Sequence, residues 1–133
     1  AGGSTEGLGS MKSIDLRVIV ESPYRPNPHR YDLEMELQEN LEYARRCMFH
    51  SIGMGESPFL SHLLYTQVLD DKRSEEREMG MFLARSWYDV ADMCAVYTDK
   101  GVSEGMKKGI EYARYVGIPV EERSLYEGED DFE

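Results

Sequence analysis

The sequence predicts a small α/β domain: a doubly wound, Rossmann-like parallel sheet of about four strands with helices on both faces. Three observations predict it. Short β-branched or apolar runs alternate with stretches of helical spacing. One run, Asp92 to Thr98 (DMCAVYT), is apolar on both alternating faces, as a central parallel strand must be. The chain has 133 residues, enough for one ordinary core and too few for two.

Each element follows in order. Leu16 to Val20 (LRVIV) is a β-branched run closed by Glu21-Ser22-Pro23, a buried strand ending in a proline turn. From about 30 to 54, Leu37, Leu41, Ala44, Met48 and Ile52 recur at helical steps, and Gly53 and Gly55 stop the helix. Ser57-Pro58-Phe59-Leu60 reads as a short second strand, and Ser61 to Arg73 as a long connection with few turn residues. Ser74 is placed to cap a helix whose apolar stripe is Met79, Phe82, Leu83, Trp87, Val90 and Ala91. After the central strand, Ser103 caps a third helix with Met106, Ile110, Ala113 and Val116 inward. Gly117 ends that helix, and Ile118-Pro119-Val120 begins an edge strand. The alternation suits a flavodoxin-like strand order.

Composition narrows the function. Lys plus Arg is 15 against 26 Asp plus Glu, a net charge of −11, which disfavours a nucleic-acid backbone binder. No apolar run approaches a membrane span, and no leader pattern opens the chain. Ala1 to Ser10 (AGGSTEGLGS) reads as an expression scar ahead of Met11, residues 11–120 as the domain, and Glu121 to Glu133 as a solvated acidic tail of net charge −6. Cys47 and Cys94 read as reduced core residues of a cytoplasmic protein. Met48, Met79 and Met106 read as core fillers, and Trp87 as core or subunit interface. No zinc-ligand spacing occurs. Adjacent acids such as Asp70 and Asp71 are ordinarily solvated, so no metal and no cofactor is expected.

Ligands of an open parallel sheet bind beyond the carboxyl ends of its strands. That rule selects Ser22-Pro23-Tyr24-Arg25 after the first strand, His62 with the loop behind it, and Asp99 to Lys107 after the central strand. Ser103-Glu104-Gly105-Met106 opens a helix directly after a strand, so free backbone N–H groups and a small residue face the crevice, an arrangement that holds a phosphate or sugar hydroxyl. Arg25 is a candidate phosphate partner or a surface ion pair. His62 is a candidate ligand to a base or phosphate, or a partly buried structural histidine. Arg77 is a further candidate phosphate partner, or part of a solvated helix face.

Four segments carry a resemblance: SPYR at Ser22 to Arg25, SHLLYTQVLDD at Ser61 to Asp71, EERE at Glu75 to Glu78 and SEGMKKGIEYARYVGIPV at Ser103 to Val120. They resemble a family of small phage and bacterial proteins, which in turn is similar to nucleoside 2-deoxyribosyltransferases and nucleotide N-glycosidases. The resemblance implies a nucleoside or nucleotide ligand, with Tyr24 in the sugar pocket and Ser103, Gly105 and Met106 in the turn that holds the sugar or phosphate side. It implies a homo-oligomer, with Tyr43, Tyr112 and Tyr115 as candidate contacts, and a cytoplasmic location, that of the host if phage-encoded. It places Gly109 where the enzymes carry their catalytic Glu, with Glu111 two residues along on another face, and Ala84 near their sugar-binding Asp.

Cleaving an N-glycosidic bond builds positive charge on the sugar, which calls for a facing carboxylate. Two readings follow. One is a protein that holds a nucleotide-derived ligand intact, as a phage would to sequester a host messenger. The other is an active glycosidase or transferase that takes its carboxylate from Glu104 or Asp71.

Overall fold

The computed structural model describes residues 16–29 and 32–126. The expectations for Ala1 to Ser10, for Met11, and for the tail beyond residue 126 lie outside the described residues.

Strands β1 (Arg17–Glu21), β2 (Ser57–Phe59), β3 (Met93–Tyr97) and β4 (Val120–Arg123) form one fully parallel sheet in the order β2-β1-β3-β4. That is the flavodoxin-like order. Helix α1 (Leu33–Gly53) covers one face, against Val18, Val20, Ala95 and Tyr97. Helices α3 (Ser74–Tyr88) and α4 (Glu104–Val116) cover the other, against Ile19, Cys94 and Val96. The two-residue period of β1 and β3 thus feeds two cores, one on each side of the sheet.

Several expectations shift. The connection from Ser61 is not structureless: it forms a short helix, α2 (Ser61–Leu64), and a 3-10 turn, Tyr65–Gln67. Ser74 is the first residue of α3, and Arg73 holds the cap position without a side-chain bond. The last strand runs from Val120 to Arg123, so the first residues assigned to the tail belong to the sheet. The reason is Arg123, whose guanidinium is buried in a bidentate pair with Glu56 at 2.6 and 2.8 Å and donates to Tyr97 Oη at 3.1 Å.

The helix stripes also rotate. In α1 the buried residues are Asn40, Tyr43, Ala44, Cys47 and Ser51, while Ile52 is exposed. The polar members are buried because each has a tertiary partner: Asn40 Nδ2 donates to Tyr24 O at 3.1 Å, Tyr43 Oη to Asp99 at 2.7 Å and Ser51 Oγ to Glu56 at 2.7 Å. In α3 the buried residues are Ala84 and Tyr88, whereas Met79, Phe82, Trp87 and Val90 of the expected stripe are exposed. Trp87 stacks on Phe59 with ring centres 5.1 Å apart, and its indole donates to Tyr65 Oη at 2.8 Å. Of the methionines read as core fillers, Met106 is buried and Met79 is half exposed. Cys47 and Cys94 are free thiols, one in each core.

Candidate functional site

The chain leaves β1 toward α1 on one face, and α3 returns it on the other face to β3. Their carboxyl ends therefore diverge, the position at which an open α/β sheet binds ligands. A cleft of about 1110 Å³ lies there. All nine site residues expected from the sequence line it.

Ser22 and His62 meet across it, Oγ to Nε2, at 2.7 Å. Burial pushes the His62 imidazole down to about 4, so the ring is neutral at physiological pH. Tyr24 is held by the Asn40 bond to its carbonyl. Arg25 pairs with Asp71 at 3.1 Å across the mouth. Burial raises the Asp71 carboxyl, and Arg25 and Arg77 oppose that rise. Arg77 is not a solvated helix residue: it lines the cleft and donates to Asp71 O at 3.3 Å.

Helix α4 opens on a Ser103 cap. Its hydroxyl accepts from Met106 N at 3.2 Å, and Met106 Sδ accepts from Ser103 N at 3.4 Å. Met106 is thereby buried under the sheet end, and Gly105 leaves the first turn open. The inward face of α4 is Met106, Gly109 and Ala113. Glu104 lies about 200° from Met106 around the helix. Its side chain is 84% exposed and pairs with Lys107 at 3.0 Å. Glu104 therefore lines the cleft with its carboxylate turned to solvent and paired with Lys107.

The interior carboxylate comes from β1. Glu21 shares the parity of Ile19 and so faces the α3–α4 layer, where its Oε2 accepts from Tyr88 Oη at 2.6 Å. Burial pushes its carboxyl up to about 7, against the opposing effect of the Tyr88 hydrogen bond. Gly109 faces it: a Cβ at 109 would lie 2.7 Å from Glu21 Cδ and 2.8 Å from Tyr88 Oη. Glycine inside a helix costs about 0.5–1 kcal/mol relative to alanine, and here it makes room for a carboxyl. Sequence reasoning passed over Glu21 and Tyr88. The strand period that places Ile19 was the available signal for Glu21. Nothing local marked Tyr88.

Among the described residues, no group of three or more His, Cys, Asp or Glu side chains is placed to hold a metal ion. No helix of the described residues is long and apolar enough to cross a membrane.

These features define a deoxyribosyltransferase-like α/β fold. The 2-deoxyribosyltransferase of the psychrotolerant bacterium Bacillus psychrosaccharolyticus, described as a biocatalyst for nucleoside synthesis, is similar in structure, with a TM-score of 0.53 at 14% identity over 81% of this chain and 72% of that one. Residues 16–123 match the family described as a domain of unknown function, DUF7768, and the chain belongs to that family. No curated protein sequence matches it.

Proposed function

We propose that the chain binds a nucleoside or nucleotide in the cleft beyond β1 and β3. The observation that carries this reading is the convergence there of three recognition elements. Tyr24 offers an aromatic face, the neutral Ser22–His62 pair offers a donor and an acceptor, and the open first turn of α4 offers backbone N–H groups. Arg25 and Arg77 supply positive charge at the Asp71 side. The likeness to an enzyme named for nucleoside synthesis supports the ligand class. In a phage-encoded protein, the same cleft would withdraw a nucleotide messenger from the host cytoplasm.

Self-association is part of this reading. Met79, Phe82 and Tyr115 form an exposed apolar strip along the groove between α3 and α4. Glu75, Glu78 and Glu111 lie beside Arg85 and Lys108 around it. A patch carrying both charges is complementary to a second copy of itself about a two-fold axis.

The test is equilibrium dialysis against nucleosides, nucleoside monophosphates and dinucleotides, with mass spectrometry on both sides of the membrane. Enrichment of one nucleotide or nucleoside with the protein is the expected result. Even distribution of every member of the panel overturns the reading.

A further inference from the structure

Glu21 is placed as no stability argument requires. β1 delivers its carboxyl into the cleft. Among the described residues, it has no cation against it, and Tyr88 is its hydrogen-bond partner. On the α4 side only a glycine fits, since a Cβ at 109 would overlap both the carboxyl and the Tyr88 hydroxyl. A strand, a helix and a phenol on a third element are thus arranged around one uncompensated acid inside a ligand cleft.

We propose that Glu21 is the catalytic acid–base group of this cleft, acting on the bond between sugar and base, with Tyr88 as its positioning residue. This rests on the nucleoside reading above. Protonated Glu21 gives its proton to a ring nitrogen of the base as the C1′–N bond breaks, and the bonding electron pair leaves with the base. A water molecule adds to C1′ and passes a proton to the Glu21 carboxylate. One water is consumed, base and free sugar leave, and the acid is regenerated.

The surroundings suit that cycle. Tyr88 of α3 and Cys94 of β3, the titratable groups against Glu21, are both pushed up by burial and neutral at physiological pH. Tyr112 of α4 stands edge-on behind Tyr88 at 5.2 Å, with the Arg85 guanidinium over its ring at 5.4 Å. The imidazole that lines the cleft, His62 of α2, is neutral. With a carboxyl that titrates near 7, both protonation states are populated at neutrality, as acid–base exchange needs.

The full chain, Glu21→Gln and Tyr88→Phe are incubated from pH 5 to 9 with the four common 2′-deoxynucleosides and their 5′-monophosphates. Free base is followed by chromatography, and binding by calorimetry. The expected result is base release by the unmodified protein and an unchanged Kd for Glu21→Gln with a loss of about 10²–10⁴-fold in rate. In Tyr88→Phe, the limb of the pH–rate profile should move to higher pH, because the lost hydrogen bond had lowered the Glu21 pKa. Binding without base release at any pH overturns the catalytic role and leaves the nucleoside reading intact. Glu21→Gln releasing base at the full rate, or an unshifted Tyr88→Phe profile, also overturns it. If the unmodified protein binds no nucleoside, both readings fall.

Discussion

Glu21 occupies the space that a side chain at position 109 would take. The carboxyl comes from the end of β1 and the vacancy from the middle of α4, so the two residues are coupled across 88 positions of sequence. The glycine at 109 therefore does not by itself mark a site without a carboxylate.

That coupling is measurable. Gly109→Ala gains helix propensity, worth up to about 1 kcal/mol. It also overpacks Glu21 and Tyr88, at a cost of about 1–3 kcal/mol. A net loss of stability is expected in denaturant unfolding, and the penalty should shrink in a Glu21→Ala background. Additive effects would show that the two residues do not compete for space. Gly109→Glu alone sets two carboxyls in one place, so transfer of the carboxylate to the helix needs Glu21→Ala beside it.

Glu21 and His62 bias stability in opposite directions with pH. The Glu21 carboxyl is raised from 4.5 to about 7 in the fold, so its contribution is full below pH 4.5 and is lost as pH rises through 7. The His62 imidazole is lowered from 6.5 to about 4, so its contribution is full above pH 6.5 and is lost as pH falls through 4. Between pH 4.5 and 6.5 the slopes oppose each other. Glu21→Gln should leave stability rising with pH across that window, and His62→Gln should leave it falling. Thermal unfolding in matched buffers reads both signs, and equal slopes in the two variants contradict this assignment.

The Arg123–Glu56 pair closes β4 onto the sheet. Both side chains are 6% exposed, so Arg123→Met leaves a buried carboxylate without its partner. A loss of about 3–5 kcal/mol is expected in chemical denaturation. Glu56→Gln combined with Arg123→Met should cost less than Arg123→Met alone. Burial works against the charged form of Glu56, but the hydrogen bonds from Arg123 and Ser51 outweigh it and hold the carboxyl below its usual range. The contribution of the pair is therefore present above pH 4.5 and fades as pH falls below it.

The α3–α4 strip should govern self-association. Phe82 is 68% exposed and touches neither core, so Phe82→Glu should leave stability nearly unchanged. Sedimentation velocity over a concentration series should show association in the parent chain and a monomer in the variant. A parent that stays monomeric at every concentration rejects this surface.

Much of the architecture was legible in the sequence because local rules act on it. The doubly apolar run at Asp92 to Thr98 specified a central strand, Ser103 and Gly117 marked the ends of α4, and the strand-end rule selected the segments that line the cleft. What tertiary structure decided was the direction of individual groups. That the Glu104 carboxylate turns to solvent depends on the rotation of α4 against the sheet, which packing of Met106 and Ala113 settles. The buried polar face of α1 depends on partners far along the chain: Tyr24, Glu56 and Asp99. The run from 121 to 123 looks like a tail because its composition is acidic, yet Arg123 joins the sheet because Glu56 neutralises it at a distance of 67 residues. Periodicity and capping are properties of neighbouring residues, so the sequence by itself determined the elements. Burial of charge is a property of what meets across space, so only the folded chain decided the site.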